Sequence, residues 1–283
     1  MTGDVEALER PLTFRCEGSE MLGLLHPAET PSGRGVLLIV GGPQYRVGCH
    51  RQFVLLGRAL AAAGIPVLRF DYRGMGDSEG ELRGFERIES DIRAAMDAFC
   101  RAVPDLKEVV LWGLCDAASA TAFYASRDPR VAGAVLVNPW VQTGAGQART
   151  ELRHYYVARI REAAFWRKLI ALRWNPLVTL VSIARAARAI GIRNDGQGNR
   201  AQLPKRLQLG LEAFDGRVLL ILSGQDLTAR EFEDAVAASQ AWSAWRNSSE
   251  VTERRLEEAD HTFSCAVWRD QVATWTIEWL GTW

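Results

Sequence analysis

Short apolar runs recur along the chain at intervals that leave room for a helix between them. "GVLLIVGG" (35–42), "PVLRFDY" (66–72), "EVVLWG" (108–113), "GAVLVNP" (133–139) and "RVLLILSG" (217–224) are almost continuous in aliphatic residues. Runs with so little polar alternation suit strands buried on both faces of a parallel sheet. Helix-compatible segments follow: "RQFVLLGRALAAAG" after the first run, "RIESDIRAAMDAFCR" after the second and "DAASATAFYASR" after the third. The alternation predicts a doubly wound, mostly parallel α/β sheet. Near the start, "LTFRCEG" and "MLGLLHP" alternate around "EGSE", which predicts an antiparallel hairpin at the sheet edge.

The rhythm breaks after Asn138-Pro139. Residues 148–206 contain two long helical patterns, "ARTELRHYYVARIREAAFWRKLIALRW" and "NPLVTLVSIARAARAI", and then the polar "GIRNDGQGNRAQLPKR". A single domain over 1–283 is expected, with 140–210 as a helical cap inserted over the carboxyl ends of the strands, where an open α/β sheet places its ligands. Charge sets this insertion apart. Residues 148–206 hold thirteen Arg or Lys against Glu151, Glu162 and Asp195, while the whole chain balances 34 basic with 34 acidic side chains. A solvated helix face accounts for such a segment; so does a surface that recruits an anionic group, such as an acyl carrier protein, coenzyme A or a lipid headgroup. Trp166, Leu169, Ile170, Leu172 and Trp174 among the arginines also suit contact with a membrane surface.

The balanced charge excludes a global attraction for nucleic acid. The acidic start "MTGDVEALERPLTF" is unlike a signal peptide, and no run reaches the roughly 18–20 apolar residues of a membrane span. The five cysteines, Cys16, Cys49, Cys100, Cys115 and Cys265, form no paired spacing. That pattern fits a reducing, cytoplasmic setting and argues against a structural zinc site.

Candidate chemistry centres on "LWGLCDAASA". Gly113-Leu114-Cys115-Asp116-Ala117 falls between a strand and a helix and resembles the G-x-S-x-G nucleophile turn, with cysteine in place of serine. Small residues are needed at two before and two after the nucleophile because the turn leaves no space; Ala117 is small, though not glycine. "VGGPQYRVGCHRQF" occupies the place of an oxyanion loop. Pro43 lacks an N–H, so the backbone donors would be Gln44, or else Tyr45, together with Asp116 after the nucleophile. Asp226 in "LSGQDLTAREF" and His261 in "LEEADHTFS" follow in the chain order nucleophile, acid, base. Asp260 competes with Asp226 as the acid but adjoins the base itself; Asp234 lies farther into the next helix. Cys49 beside His50 mimics a second dyad, yet adjacent side chains seldom meet. Cys265 follows His261 by four residues and suits packing.

"FDYRGMGDSEG" (70–80) carries the resemblance further, since a strand ending in Asp-Tyr-Arg-Gly-x-Gly-x-Ser recurs in the α/β-hydrolase superfamily. There Asp71 and Arg73 read as fixing the loop beneath the site. With "VGGPQYRVG-H-RQF", "WGLCDAASA", "NPWV" and "HYY", the chain resembles the exosortase A system-associated hydrolase 1 family over nearly its whole length. The resemblance implies an α/β-hydrolase fold with a helical cap, a Cys115–His261–Asp226 triad and a setting beside bacterial exopolysaccharide and exosortase genes. It implies no particular reaction. Tyr45, Trp140, Tyr155 and Tyr156 are the expected substrate contacts.

A helix amino terminus and an imidazole both favour a thiolate. His261 would deprotonate Cys115, Asp226 would orient the ring, and an acyl group would pass through a thioester, with no cofactor required. Hydrolysis and transfer are both open, and the basic insertion favours an acyl-thioester over a simple ester. The competing expectation is a non-catalytic scaffold that binds an anionic partner through the basic cap.

Overall fold

The structure, a computed structural model, describes residues 9–30, 33–42, 44–141 and 202–283. Most of the expected 140–210 insertion, with Tyr155, Tyr156 and the Trp166–Trp174 cluster, lies outside the described residues. The described strands are β1 (Arg10–Cys16), β2 (Ser19–His26), β3 (Arg34–Ile39), β4 (Val67–Phe70), β5 (Glu108–Leu114), β6 (Val131–Val137), β7 (Arg217–Ser223) and β8 (Val251–Leu256). They form one sheet in the order β1-β2-β4-β3-β5-β6-β7-β8. β2 runs antiparallel to both neighbours, and every pair from β4 to β8 is parallel. This is the α/β-hydrolase architecture, with an edge hairpin in front of a doubly wound sheet.

The described α-helices are α1 (Gln52–Ala62), α2 (Glu89–Ala102), α3 (Asp116–Tyr124), α4 (Leu203–Glu212), α5 (Leu227–Ala237), α6 (Gln240–Arg246) and α7 (Ala266–Leu280). The apolar runs bury both faces, as unbroken aliphatic sequence requires. On one face Leu37, Ile39, Leu68 and Leu111 pack with Ile92, Met96 and Phe99 of α2. On the other, Val36, Leu38, Val110 and Val135 pack with Phe53 and Leu60 of α1 and with Trp279 and Leu280 of α7. A third cluster joins Ala118 and Ala122 of α3 to Leu207 and Leu211 of α4 and Phe232 of α5.

Two departures from the sequence expectations have simple causes. β8 reads "VTERRL" and is half-exposed, because an edge strand needs only one covered face; it therefore lacks the apolar run that marks the others. The boundary at 210 falls within α4, whose Leu203, Leu207 and Leu211 belong to the sheet-packing body.

The "FDYRGMGDSEG" turn is anchored by buried carboxylates. Asp71 accepts N–H bonds from Arg46 at 2.8 Å and Asp77 at 3.2 Å, and the Arg46 guanidinium pairs with it. Arg73 donates to Asp91 from its backbone N–H at 2.9 Å, from Nε at 2.9 Å and from Nη2 at 2.8 Å. Asp91 is fully buried in the first turn of α2, where the helix dipole also favours a negative charge. Removing one member of a buried pair strands the other charge. Asp91→Ala is therefore expected to cost about 3 kcal/mol or more in urea unfolding. A loss below about 1 kcal/mol would show that the half-exposed Glu17, which also accepts from Arg73, suffices alone.

Candidate active site

β5 ends at Leu114 and α3 begins at Asp116, so Cys115 alone makes the turn. Its backbone sits at φ 63° and ψ −123°, which an L residue adopts only under constraint. The constraint is visible on both sides. The Cys115 N–H donates to the Val137 carbonyl at 2.8 Å, and its carbonyl accepts from Ala118 at 3.0 Å and Trp140 at 3.1 Å. Gly113 makes the turn sterically possible, because a Cβ there would meet the Ala117 carbonyl at 2.5 Å. The Cys115 side chain is left half-buried at the carboxyl end of the sheet.

His261 reaches the same place from the loop after β8. Its Nδ1 lies 2.8 Å from Asp226 Oδ2, and the Cys115 side chain is close enough to the ring to raise its pKa. Asp226 is buried as the N-cap of α5, accepting from Thr228 N–H at 3.1 Å and Ala229 N–H at 3.2 Å. Helix capping thus fixes the carboxylate that orients the ring. Burial pulls the His261 pKa down, but the Asp226 and Cys115 bonds and their charges prevail, carrying it from 6.5 to about 10. Asp260 instead folds its carboxylate onto its own turn, accepting from Thr262 N–H at 3.1 Å, Ser264 N–H at 3.0 Å and the Ser264 hydroxyl.

The remaining sequence candidates separate. The Gln44 N–H, expected to face an oxyanion, donates to the Gly42 carbonyl at 2.8 Å, so this turn holds it away from that task. The Tyr45 hydroxyl donates to Asp77 Oδ2 at 2.8 Å, and the ring lies under the Arg46 guanidinium at 4.3 Å on the surface. Trp140 meets the turn through its backbone: the N–H bonds Cys115, and the carbonyl accepts from Ser119 Oγ at 2.5 Å. Cys49 Sγ is 3.8 Å from Gln44 Oε1, and the neighbouring His50 is exposed at φ 52°, so these two make no dyad.

The comparisons with known proteins follow the same outline. Residues 36–274 match the model of a family described as the alpha/beta hydrolase family. The chain belongs to that family. Among solved structures, the hydrolase fold superposes on the esterase Pf2001 of Pyrococcus furiosus with a TM-score of 0.68 at 13% identity, covering 99% of this chain and 93% of that one. Est1E of Butyrivibrio proteoclasticus, solved with ferulic acid bound, gives 0.61 at 17% identity over 95% and 97%. An α/β serine hydrolase homologue from Coxiella burnetii gives 0.57 at 14% identity over 95% and 96%. A polyketide transferase, grgF of a Penicillium species, is 30% identical over 139 residues, which are 48% of this chain and 46% of that protein. The match thus spans about half the length of that relative.

Sequence reasoning missed two buried residues of this hydrolase site. Asn138, at φ 44° just beyond β6, donates from Nδ2 to Ser223 Oγ at 2.8 Å and to the His261 carbonyl at 3.0 Å. Ser223, at the end of β7, donates to the Asp260 carbonyl at 2.9 Å, and its N–H donates to Asn138 Oδ1 at 2.9 Å. Together they tie the histidine loop to the strand ends. Asn before proline signals only a turn, and nothing local marks a distant loop as its partner.

The balance at His261 makes a measurable claim. Followed by NMR, its imidazole is expected to titrate near 10 and to fall toward 6.5 in Asp226→Asn and in Cys115→Ala. Because the folded value lies above the unfolded one, the stability it contributes is complete below pH 6.5 and is lost as pH rises through 10. A wild-type midpoint below 7.5 would refute this balance.

Proposed function

We propose that this hydrolase is an acyl hydrolase or acyltransferase of thioesterase type, working through a covalent acyl group on Cys115. One observation carries the reading: a single imidazole joins the Cys115 thiol to a buried, N-capped carboxylate at a strained strand-to-helix turn. An unreactive cysteine at a strand end needs none of these.

The chemistry follows from the proton balance. On this mechanism the Cys115 sulfur attacks the acyl carbon as a thiolate, its proton held on His261, and forms a carbon–sulfur bond. The developing oxyanion faces the amino end of α3 beside the sulfur, where the helix dipole stabilises it. The bond from carbon to the leaving oxygen or sulfur breaks, and His261 gives the leaving group its proton. Water, or another hydroxyl, thiol or amine, then passes its proton to His261 and attacks the thioester. Cys115 leaves as thiolate and the imidazolium is restored. Asp226 keeps Nδ1 protonated throughout and the ring in register.

The compared proteins favour esters as the substrate class, one being named an esterase and another a polyketide transferase. The thirteen basic residues of 148–206 favour a substrate carried on an anionic group, whether coenzyme A or a carrier protein. The resemblance to exosortase-associated hydrolases agrees with that, since those proteins sit near acyl-activating enzymes and carriers. Cys115, Asp226 and His261 act as the triad.

Intact-mass analysis after incubation with acyl-coenzyme A thioesters and p-nitrophenyl esters tests the proposal. An adduct on Cys115 is expected, lost in Cys115→Ala and formed about a hundredfold or more slowly in His261→Ala. If no acyl donor labels Cys115, and it alkylates no faster than a cysteine of the unfolded chain, the protein is instead a non-catalytic scaffold.

A further inference from the structure

The sequence draws attention to the Asp116 backbone, but the side chain is the more unusual feature. Its Oδ2 accepts the Gly42 N–H at 2.8 Å, linking two segments that are far apart in sequence. It also accepts from the Ala117 N–H and from its own. The opposing carboxylate oxygen lies where a side chain on Gly41 would be: a Cβ there would stand 2.0 Å from Oδ1 and 2.9 Å from the Ala117 nitrogen. The glycine pair in "VGGPQ" is therefore shaped around a carboxylate from the following helix, in addition to making a turn.

Gly42 is held from its other side as well. Its carbonyl accepts the Gln44 N–H at 2.8 Å and lies 3.4 Å from the buried Tyr72 hydroxyl. Asp116 also faces His261 electrostatically, and burial pushes its carboxyl up against the backbone bonds and the imidazole charge, which hold it down. A half-buried carboxylate beside a nucleophile is costly to keep, and it repels the thiolate that the mechanism needs. Helix capping does not account for it, because Asp116 is the first residue inside α3, whose N-cap is Cys115. Its task is the bond to Gly42.

We propose that Asp116 is a positioning residue for acyl transfer, whose carboxylate clamps the Gly41–Gly42 turn onto the amino end of α3. The clamp sets the separation between the loop after β3 and the N–H groups beside Cys115. This inference rests on the acyl-enzyme reading above and adds to it the part that fixes the oxyanion-binding geometry.

Two reactions of the same sulfur separate the two ideas. Alkylation by iodoacetamide occurs at a tetrahedral carbon and develops no oxyanion; acylation by p-nitrophenyl acetate does. In Asp116→Ala, acylation of Cys115 followed by intact mass is expected to slow by about tenfold to a hundredfold, since a misplaced donor loses part of what a deleted one loses. Alkylation should change by less than about threefold, in either direction, as the nearby charge is removed. Asp116→Asn keeps an acceptor for Gly42 and is expected to restore acylation to within about fivefold of wild type. Asp116→Ser suits a helix start but is too short to reach Gly42, so it carries the test if the alanine variant fails to fold. Acylation in the Ala or Ser variant within threefold of wild type, or falling in step with alkylation, overturns the clamp and leaves the acyl-enzyme intact. A wild-type Cys115 that is neither acylated nor rapidly alkylated overturns both.

Discussion

Everything at this site depends on one residue's backbone. Cys115 holds φ 63° and ψ −123°, at a cost of order 1–3 kcal/mol for a side-chain-bearing residue. The conformation persists because the neighbouring strands over-determine it. The parallel register of β5 with β6 brings Leu114 beside Val137, so the next N–H finds the Val137 carbonyl without adjustment. The chain leaving β6 then returns the Trp140 N–H to the Cys115 carbonyl. Sheet pairing therefore fixes where the sulfur points, and the helix that follows inherits its direction from the same turn. The residues that make this possible are small ones, Gly113 and the alanines opening α3, and their contribution is the space they leave.

From that turn outward, carboxylates position the loop that faces it. The segment after β3 is pinned at two backbone N–H groups, at Gly42 by Asp116 and at Arg46 by Asp71, each at 2.8 Å. Its Arg46 carbonyl is held in turn by Arg69 at 2.7 Å, a fully buried guanidinium in β4 that also donates to His26 at 2.7 Å and Glu9 at 2.9 Å. Desolvation and the Arg69 charge pull His26 down to about 4, so it stays a neutral acceptor for that arginine at working pH. Such buried charges are tolerable only because each has several partners in good geometry. Between the two pins lie Gln44, whose N–H is satisfied within the loop, and Tyr45, whose hydroxyl reaches Asp77 in the loop after β4. Charge here is used to fix backbone, which a purely apolar loop of the same length could not do.

This division explains what was legible in the sequence. The central strands and the edge hairpin were readable because burial on two faces, or on one, leaves a period in the sequence. β8 was not, since "VTERRL" serves an edge with one covered face. The order of Cys115, Asp226 and His261 was visible because each follows a strand, and strand ends of an open parallel sheet converge. Asn138 and Ser223 were invisible for the opposite reason. Their meaning lies in bonds to the loop around His261, and neither residue type nor spacing reports a partner so far along the chain. Gln44 was singled out by counting N–H groups after a strand, which cannot say which way each points. Asp116 was read for its backbone alone, although the informative signal was already present as a glycine pair opposite an acidic residue.

On the proposed mechanism, cysteine in the place of serine has a consequence for the histidine. A serine nucleophile needs an imidazole that is neutral at rest, so that it can take the hydroxyl proton as the bond forms. An imidazole at about 10 is charged near neutral pH and has no capacity to do so. The sulfur and the elevated histidine therefore belong together: against burial, Asp226 and Cys115 hold the imidazole above its ordinary range. On the proposed mechanism His261 enters the reaction as an acid, its proton ready for the leaving group. It acts as a base only in the second half, after that proton has gone. A good leaving group needs little of this help, whereas an alkoxide or amine needs it in full. The acyl-enzyme formed is a thioester, which retains more of its transfer potential than the ester a serine would give. Such a site is suited to passing an acyl group to a second nucleophile as much as to losing it to water.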